Sequence, residues 1–141
     1  MMGKMLSILV PAALAGGFVG AVTGMGGASV GEGAEGNACI ASVHDGDTFR
    51  TCSGERVRLV AQSGPMDAPE LPGSPRCHRC DPAPGIAARD RLRVILRQPA
   101  KLHCNGTDRY KRALCRVTVN GKDVGDQLVR EGHAVIRNDW R

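Results

Sequence analysis

Ile40-Ala41-Ser42-Val43-His44-Asp45-Gly46-Asp47-Thr48-Phe49-Arg50 reads as two strands folded back at an Asp-Gly turn. Ile40, Val43 and Phe49 supply the apolar positions on either side, and an Asp-Gly pair suits a tight hairpin. A few residues on, Arg56-Val57-Arg58-Leu59 alternates polar with apolar, the period of a half-buried third strand. Three strands joined by tight turns predict a β-meander with an acidic turn at one end.

Downstream, Leu71 to Gly85 is rich in Pro, Gly and Cys and reads as an irregular surface loop. Ala88, Leu92, Ile95 and Leu96 then fall at helical spacing, with Arg89, Arg93 and Arg97 on another, solvated face. Gln98-Pro99 ends that helix, because proline disfavours a helical residue before it. Lys101 to Cys104 and Leu114 to Val119 read as strands, and Asn120-Gly121 as a type I′ turn. Val124, Leu128 and Val129 mark a second short helix, closed by Gly132. This order predicts an α+β, mainly β fold, a small closed barrel over a helix. Aromatics make up only 3% of the chain, so its core must be aliphatic.

A length of 141 residues leaves room for one folded domain. Residues 1–24 begin with the single basic residue Lys4 and continue into an apolar run, the pattern of a signal peptide or an N-terminal membrane anchor. Gly16, Gly20 and Gly24 recur at four-residue spacing, which suits helix packing in a membrane. Residues 25–38 form a glycine-rich tether, and residues 39–141 the folded domain. Beyond Ala38 there are 18 basic against 12 acidic residues, a surplus that attracts polyanions.

The six cysteines permit fifteen connectivities. Cys39 and Cys52 flank one hairpin, Cys104 and Cys115 another, and Cys77 and Cys80 are close neighbours. Three local disulfides are therefore expected, which fits an oxidising compartment and an exported protein. Zinc held by Cys77-His78-Arg79-Cys80 is the weaker alternative, since a structural site needs a second ligand pair and the other cysteines sit on predicted strands.

The charged positions supply a chemistry. Asp47 follows the first turn and Asp67 opens a second acidic loop, Asp67-Ala68-Pro69-Glu70. Two carboxylates with a backbone carbonyl and waters suit Ca²⁺, a hard cation that takes six to eight oxygens. Glu70 is placed to deprotonate a water. Arg58 and Arg112 carry planar guanidiniums, which match the equatorial oxygens of a phosphodiester under attack. Tyr110, the only tyrosine, stands next to Arg109, where it can stack on a base or meet a phosphate.

With Asp45-Gly46-Asp47-Thr48, Glu55-Arg56-Val57-Arg58-Leu59-Val60, Asp67-Ala68-Pro69-Glu70, Asp108-Arg109-Tyr110-Lys111-Arg112, and Asn120-Gly121-Lys122-Asp123-Val124 through Leu128-Val129-Arg130-Glu131-Gly132, the chain resembles the staphylococcal nuclease (thermonuclease) homologues. The resemblance runs from Cys39 to about Val135. It implies an OB-type five-stranded barrel with helices, and Ca²⁺-dependent hydrolysis of DNA, RNA or both by a monomeric domain. By motif position it implies Asp47, Asp67 and the carbonyl of Ala68 as metal ligands, and Asp45 as an outer carboxylate. Glu70 matches the general base, Arg58 and Arg112 the arginines that stabilise the transition state, and Arg109 and Tyr110 the residues near the terminal phosphate.

Three departures set expectations of their own. The segment between Arg58 and Asp67 is about four residues longer than the family pattern, and four extended residues would carry Asp67 roughly 13 Å away. Ser63-Gly64-Pro65 is turn material, so the extra residues are expected to loop out. Lys111 stands where the family turn usually has glycine, which predicts a strained backbone if φ is positive there. No third C-terminal helix is expected before Arg141, leaving two helices. A catalytically impaired OB-type module that binds nucleic acid or protein is the alternative function.

Overall fold

The computed structural model describes residues 36–139. The expected leader and nearly all of the glycine-rich tether lie outside the described residues. Among the described residues, no helix is long and apolar enough to cross a membrane.

The three-stranded meander forms as β1 (Ile40–Asp45), β2 (Thr48–Thr51) and β3 (Arg56–Leu59), each antiparallel to the next. Its apolar face carries Val43, Phe49, Val57 and Leu59 into the core. A two-residue strand β4 (Met66–Asp67) follows, then helix α1 (Ala83–Ile95). Strands β5 (Ala100–Thr107) and β6 (Ala113–Val119) form the second hairpin, and the short β7 (Lys122–Asp123) leads into α2 (Val124–Arg130). The chain then enters β8 (Val135–Ile136), which pairs antiparallel with β4.

The main sheet runs β1-β2-β3-β6-β5, with β7 added on β6. All its pairings are antiparallel except β3 with β6, which is parallel. The fold is thus α+β with two helices among the described residues and a mainly antiparallel sheet. The barrel expected from the sequence does not close through a ladder. Its outer strands, β1 and β5, do not pair, and one backbone bond from the Ala38 N–H to the Ala100 carbonyl (2.7 Å) spans the seam. Register shifts in both strands bend them locally and interrupt a regular ladder edge.

Both helices cover one aliphatic core. Leu92 and Ile95 from α1 and Val124 and Leu128 from α2 join Phe49, Leu59, Val117 and the Cys115 side chain. The α1 stripe falls where its periodicity predicts, and Arg93 crosses to the Val43 carbonyl (3.3 Å). The helix starts earlier than expected, at Ala83, with Pro84 in its first turn, where a missing N–H costs nothing. Asp123 caps α2 by accepting from the Asp126 N–H (2.9 Å). Cys39 pairs with Cys52, Cys77 with Cys80, and Cys104 with Cys115. Pairing of Cys77 with Cys80 removes the thiolates that a zinc site there would need.

Candidate active site

The acidic turn between β1 and β2 brings its carboxylates inward. Asp47 is 3% exposed, although its type is almost never buried without a partner. Gly46 makes this possible, since a Cβ there would lie 2.7 Å from the Ala88 Cβ and 2.8 Å from the Ala68 Cβ. The turn therefore wedges between α1 and the second acidic loop. Asp47 Oδ2 accepts from the Ala68 N–H (2.9 Å), and the Asp47 N–H donates to Asp45 Oδ1 (3.1 Å).

The four-residue excess before Asp67 is taken up as expected. Ala61 and Gly64 exchange both backbone hydrogen bonds at 3.1 Å, closing a tight loop over Gln62 and Ser63. The chain thus returns to the sheet end at Met66, and the β4–β8 pairing holds Asp67 opposite Val135.

The two acidic segments then meet at a single guanidinium. Arg58 Nη1 lies 3.0 Å from Asp47 Oδ1, and its Nη2 lies 3.2 Å from Asp67 Oδ1 and donates to the Met66 carbonyl (2.8 Å). Arg58 therefore stands between the two carboxylates. Register explains this, because Thr48 pairs with Arg58 across β2 and β3, which places Arg58 beside the acidic turn.

Arg112 reaches the same place from the position just before β6. The parallel β3–β6 register sets Arg58 opposite Leu114, only two residues beyond Arg112. Arg112 Nη1 donates to Thr48 Oγ1 (3.2 Å), and that hydroxyl donates to Asp47 Oδ1 (3.0 Å). Arg112 Nε donates to Asp108 Oδ2 (2.7 Å). Burial works to raise the Asp108 carboxyl, but the Arg112 and Tyr110 donors hold it below the usual range. Lys111, in the turn between them, has φ 61°, so the condition for strain at this usually glycine position is met.

Glu70 is half-buried at the same cleft, where Oε2 accepts from Ser74 Oγ (2.8 Å). The cleft, about 350 Å³, is lined by Asp45, Asp47, Arg58, Asp67, Glu70 and Arg112 among others. Arg109 lies instead in an adjoining cleft, and its guanidinium sits 4.9 Å from the Tyr110 ring centroid. Tyr110, 52% exposed, borders both. Thr48, Ser74 and Arg137, whose Nη1 lies 4.0 Å from Asp67 Oδ2, were not singled out in the sequence. A hydroxyl at a strand start or in a loop, or an arginine just past a two-residue strand, carries no periodic signal.

Burial pushes the Asp47 carboxyl up to about 6, and the adjacent Asp45 charge adds to it, against the pull of Arg58 and the Ala68 N–H. A buried carboxylate raised in this way gains from an added cation, so the donor chemistry fits a hard divalent ion. Among the described residues, no group of three or more His, Cys, Asp or Glu side chains has metal-binding spacing. Two carboxylates would therefore need a backbone carbonyl and waters to complete a calcium shell.

The family model described as staphylococcal nuclease homologue matches residues 57–141. The chain belongs to the staphylococcal nuclease homologue family. Members of this family are in general nucleases. The match takes in Arg58, Asp67, Glu70 and Arg112, while the Asp45–Asp47 turn precedes it. No curated protein matches the chain.

Proposed function

We propose that the chain is an exported, calcium-dependent nuclease that hydrolyses phosphodiester bonds of DNA, RNA or both. The observation that carries this reading is the convergence of Asp47 and Asp67 on one guanidinium, in a cleft shared with Glu70 and Arg112. Asp47 and Asp67, with the carbonyl of Ala68, would hold the cation, and Asp45 would support Asp47. Bound Ca²⁺ would supply charge stabilisation at a phosphate oxygen.

The chain's own groups supply the rest. Glu70, held by Ser74, takes a proton from a water as that water's oxygen bonds to phosphorus. The opposite phosphorus–oxygen bond breaks, and its electron pair leaves with the departing oxygen. Arg112 and Arg58 balance the charge that builds on the remaining oxygens, Arg58 by exchanging one carboxylate contact for a phosphate oxygen. Arg109 and Tyr110 hold the terminal phosphate. Three disulfides and the apolar leader support an extracytoplasmic location, secreted, periplasmic or anchored.

A second reading rests on Arg58, which already pairs with both carboxylates and so leaves a site able to hold together without a cation. A nucleic-acid-binding module without turnover would follow. Cleavage of single-stranded DNA separates the two. The full chain is expected to cleave with Ca²⁺ and to stop with chelator, and Glu70→Gln is expected to lose at least a hundredfold in turnover. Binding without calcium-dependent cleavage supports the module.

A further inference from the structure

The loop after Glu70 carries an arginine that none of the roles above uses. Arg76 is exposed, makes no ion pair among the described residues, and lines both the candidate active-site cleft and the adjoining cleft of about 430 Å³. The two clefts also share Asp67, Tyr110 and Arg112, so they form one groove, and Arg76 stands where they join.

The second cleft carries a small positive surplus, with Arg76, Arg109, Arg112 and Arg137 against Asp67, Asp108 and Asp139. Its three carboxylates are already engaged, Asp67 by Arg58, Asp108 by Arg112 and Asp139 by Arg137, while Arg76 and Arg109 make no ion pair among the described residues. A second anion placed there therefore meets net attraction.

The position of Arg76 is tied to the proposed catalytic base. Its backbone N–H donates to Ser74 Oγ (3.3 Å), and that hydroxyl donates to Glu70 Oε2 (2.8 Å). The next residue is held too, since the Cys77 N–H donates to the Ser74 carbonyl (2.9 Å) and Cys77 is bridged to Cys80. An otherwise irregular proline-rich loop is thus fixed at the point where it meets the groove.

We infer that Arg76 binds the phosphate next to the one attacked, making a nucleic-acid strand with at least two consecutive phosphodiesters the preferred ligand. This rests on the nucleic-acid reading above, but not on turnover. A guanidinium is suited to this contact because it grips phosphate oxygens through a planar fork.

Calorimetry in chelator tests it on the full, disulfide-bonded chain, with two probes: a thymidine dinucleotide containing one phosphodiester and a trinucleotide containing two. Arg76→Ala is expected to weaken the trinucleotide about five- to tenfold and leave the dinucleotide unchanged. It is also expected to flatten the dependence of log K on log salt for the trinucleotide by about 0.7. Lys122→Ala, which removes an exposed charge from β7, is the control for net charge. Equal losses on both probes, an unchanged salt slope, or the same loss from Lys122→Ala overturns the inference. Failure of the unaltered chain to bind either probe overturns both this inference and the nucleic-acid reading. The expected binding pattern without cleavage in Ca²⁺ sinks only the hydrolytic reading.

Discussion

Gly85, in the first turn of α1, abuts the backbone of Glu70 so closely that a Cβ would lie 2.2 Å from the Glu70 carbonyl oxygen. The helix start is therefore what sets the height of the second acidic loop. Gly85→Ala must push that loop away, at a cost of about 1–3 kcal/mol in stability. Because Glu70 moves with it, turnover is expected to fall at least tenfold, measured at a temperature where the variant remains folded. Ala87→Gly, on an exposed position of the same helix, costs about 1 kcal/mol through helix propensity and leaves turnover unchanged. Equal activity of the two variants would contradict the positioning role of Gly85.

Ser74 fixes the orientation of the Glu70 carboxylate through one hydrogen bond. Its loss in Ser74→Ala removes a bond to a charged group, about 1.5–3 kcal/mol, so kcat is expected to fall roughly tenfold or more. KM should change little, and Ser74→Thr, which keeps the hydroxyl, should restore most of kcat. A loss confined to KM would show that Ser74 serves the loop and not the base.

Asp47 makes stability depend on pH in an unusual direction. Its folded carboxyl titrates near 6 because burial disfavours the charged form, against about 3.8 for an ordinary aspartate. Between those values the folded chain holds a proton that the unfolded chain has released, so this group lowers stability as pH rises from about 4 to 6. Above 6 the cost is complete, on the order of 1–3 kcal/mol. Calcium-free Asp47→Asn is therefore expected to be more stable than the unaltered chain at pH 7.5, with the difference gone near pH 4, as read by denaturant unfolding. An Asn variant less stable at pH 7.5 would mean that the Arg58 pairing outweighs burial.

Lys111 holds φ 61° without the freedom of glycine. The left-handed conformation costs a side-chain-bearing residue roughly 1–2 kcal/mol. Lys111→Gly is expected to raise the midpoint of thermal unfolding by a few degrees. An unchanged or lower midpoint would show that the turn is relaxed as it stands.

What the sequence disclosed was mainly local. The Asp45-Gly46 turn, the Asn120-Gly121 turn with φ of 51° and 72°, and the α1 stripe each depend on neighbours a few residues away. The excess residues before Asp67 could be placed because Ser63-Gly64-Pro65 has the composition of a turn. Long-range relations were not legible. The β4–β8 pairing uses two residues per strand, too few to show a period. Parallel pairing of β3 with β6 leaves no mark in either strand, yet it decides how near Arg112 stands to Arg58. The expected barrel failed to close by a ladder because pairing of the outer strands depends on their bends, which the sequence did not reveal. The candidate site was legible as a set of residue types, while Thr48, the hydroxyl that joins Arg112 to Asp47, was read only as part of a motif.

Calcium calorimetry on the full chain, paired with a single-stranded DNA cleavage assay, tests the shared-cation account most directly. One calcium site is expected in the unaltered chain, and Asp47→Asn and Asp67→Asn should each abolish calcium binding and cleavage together. Undiminished calcium binding and hydrolysis in the Asp67→Asn chain would contradict the account, because the second acidic loop would then hold no part of the ion.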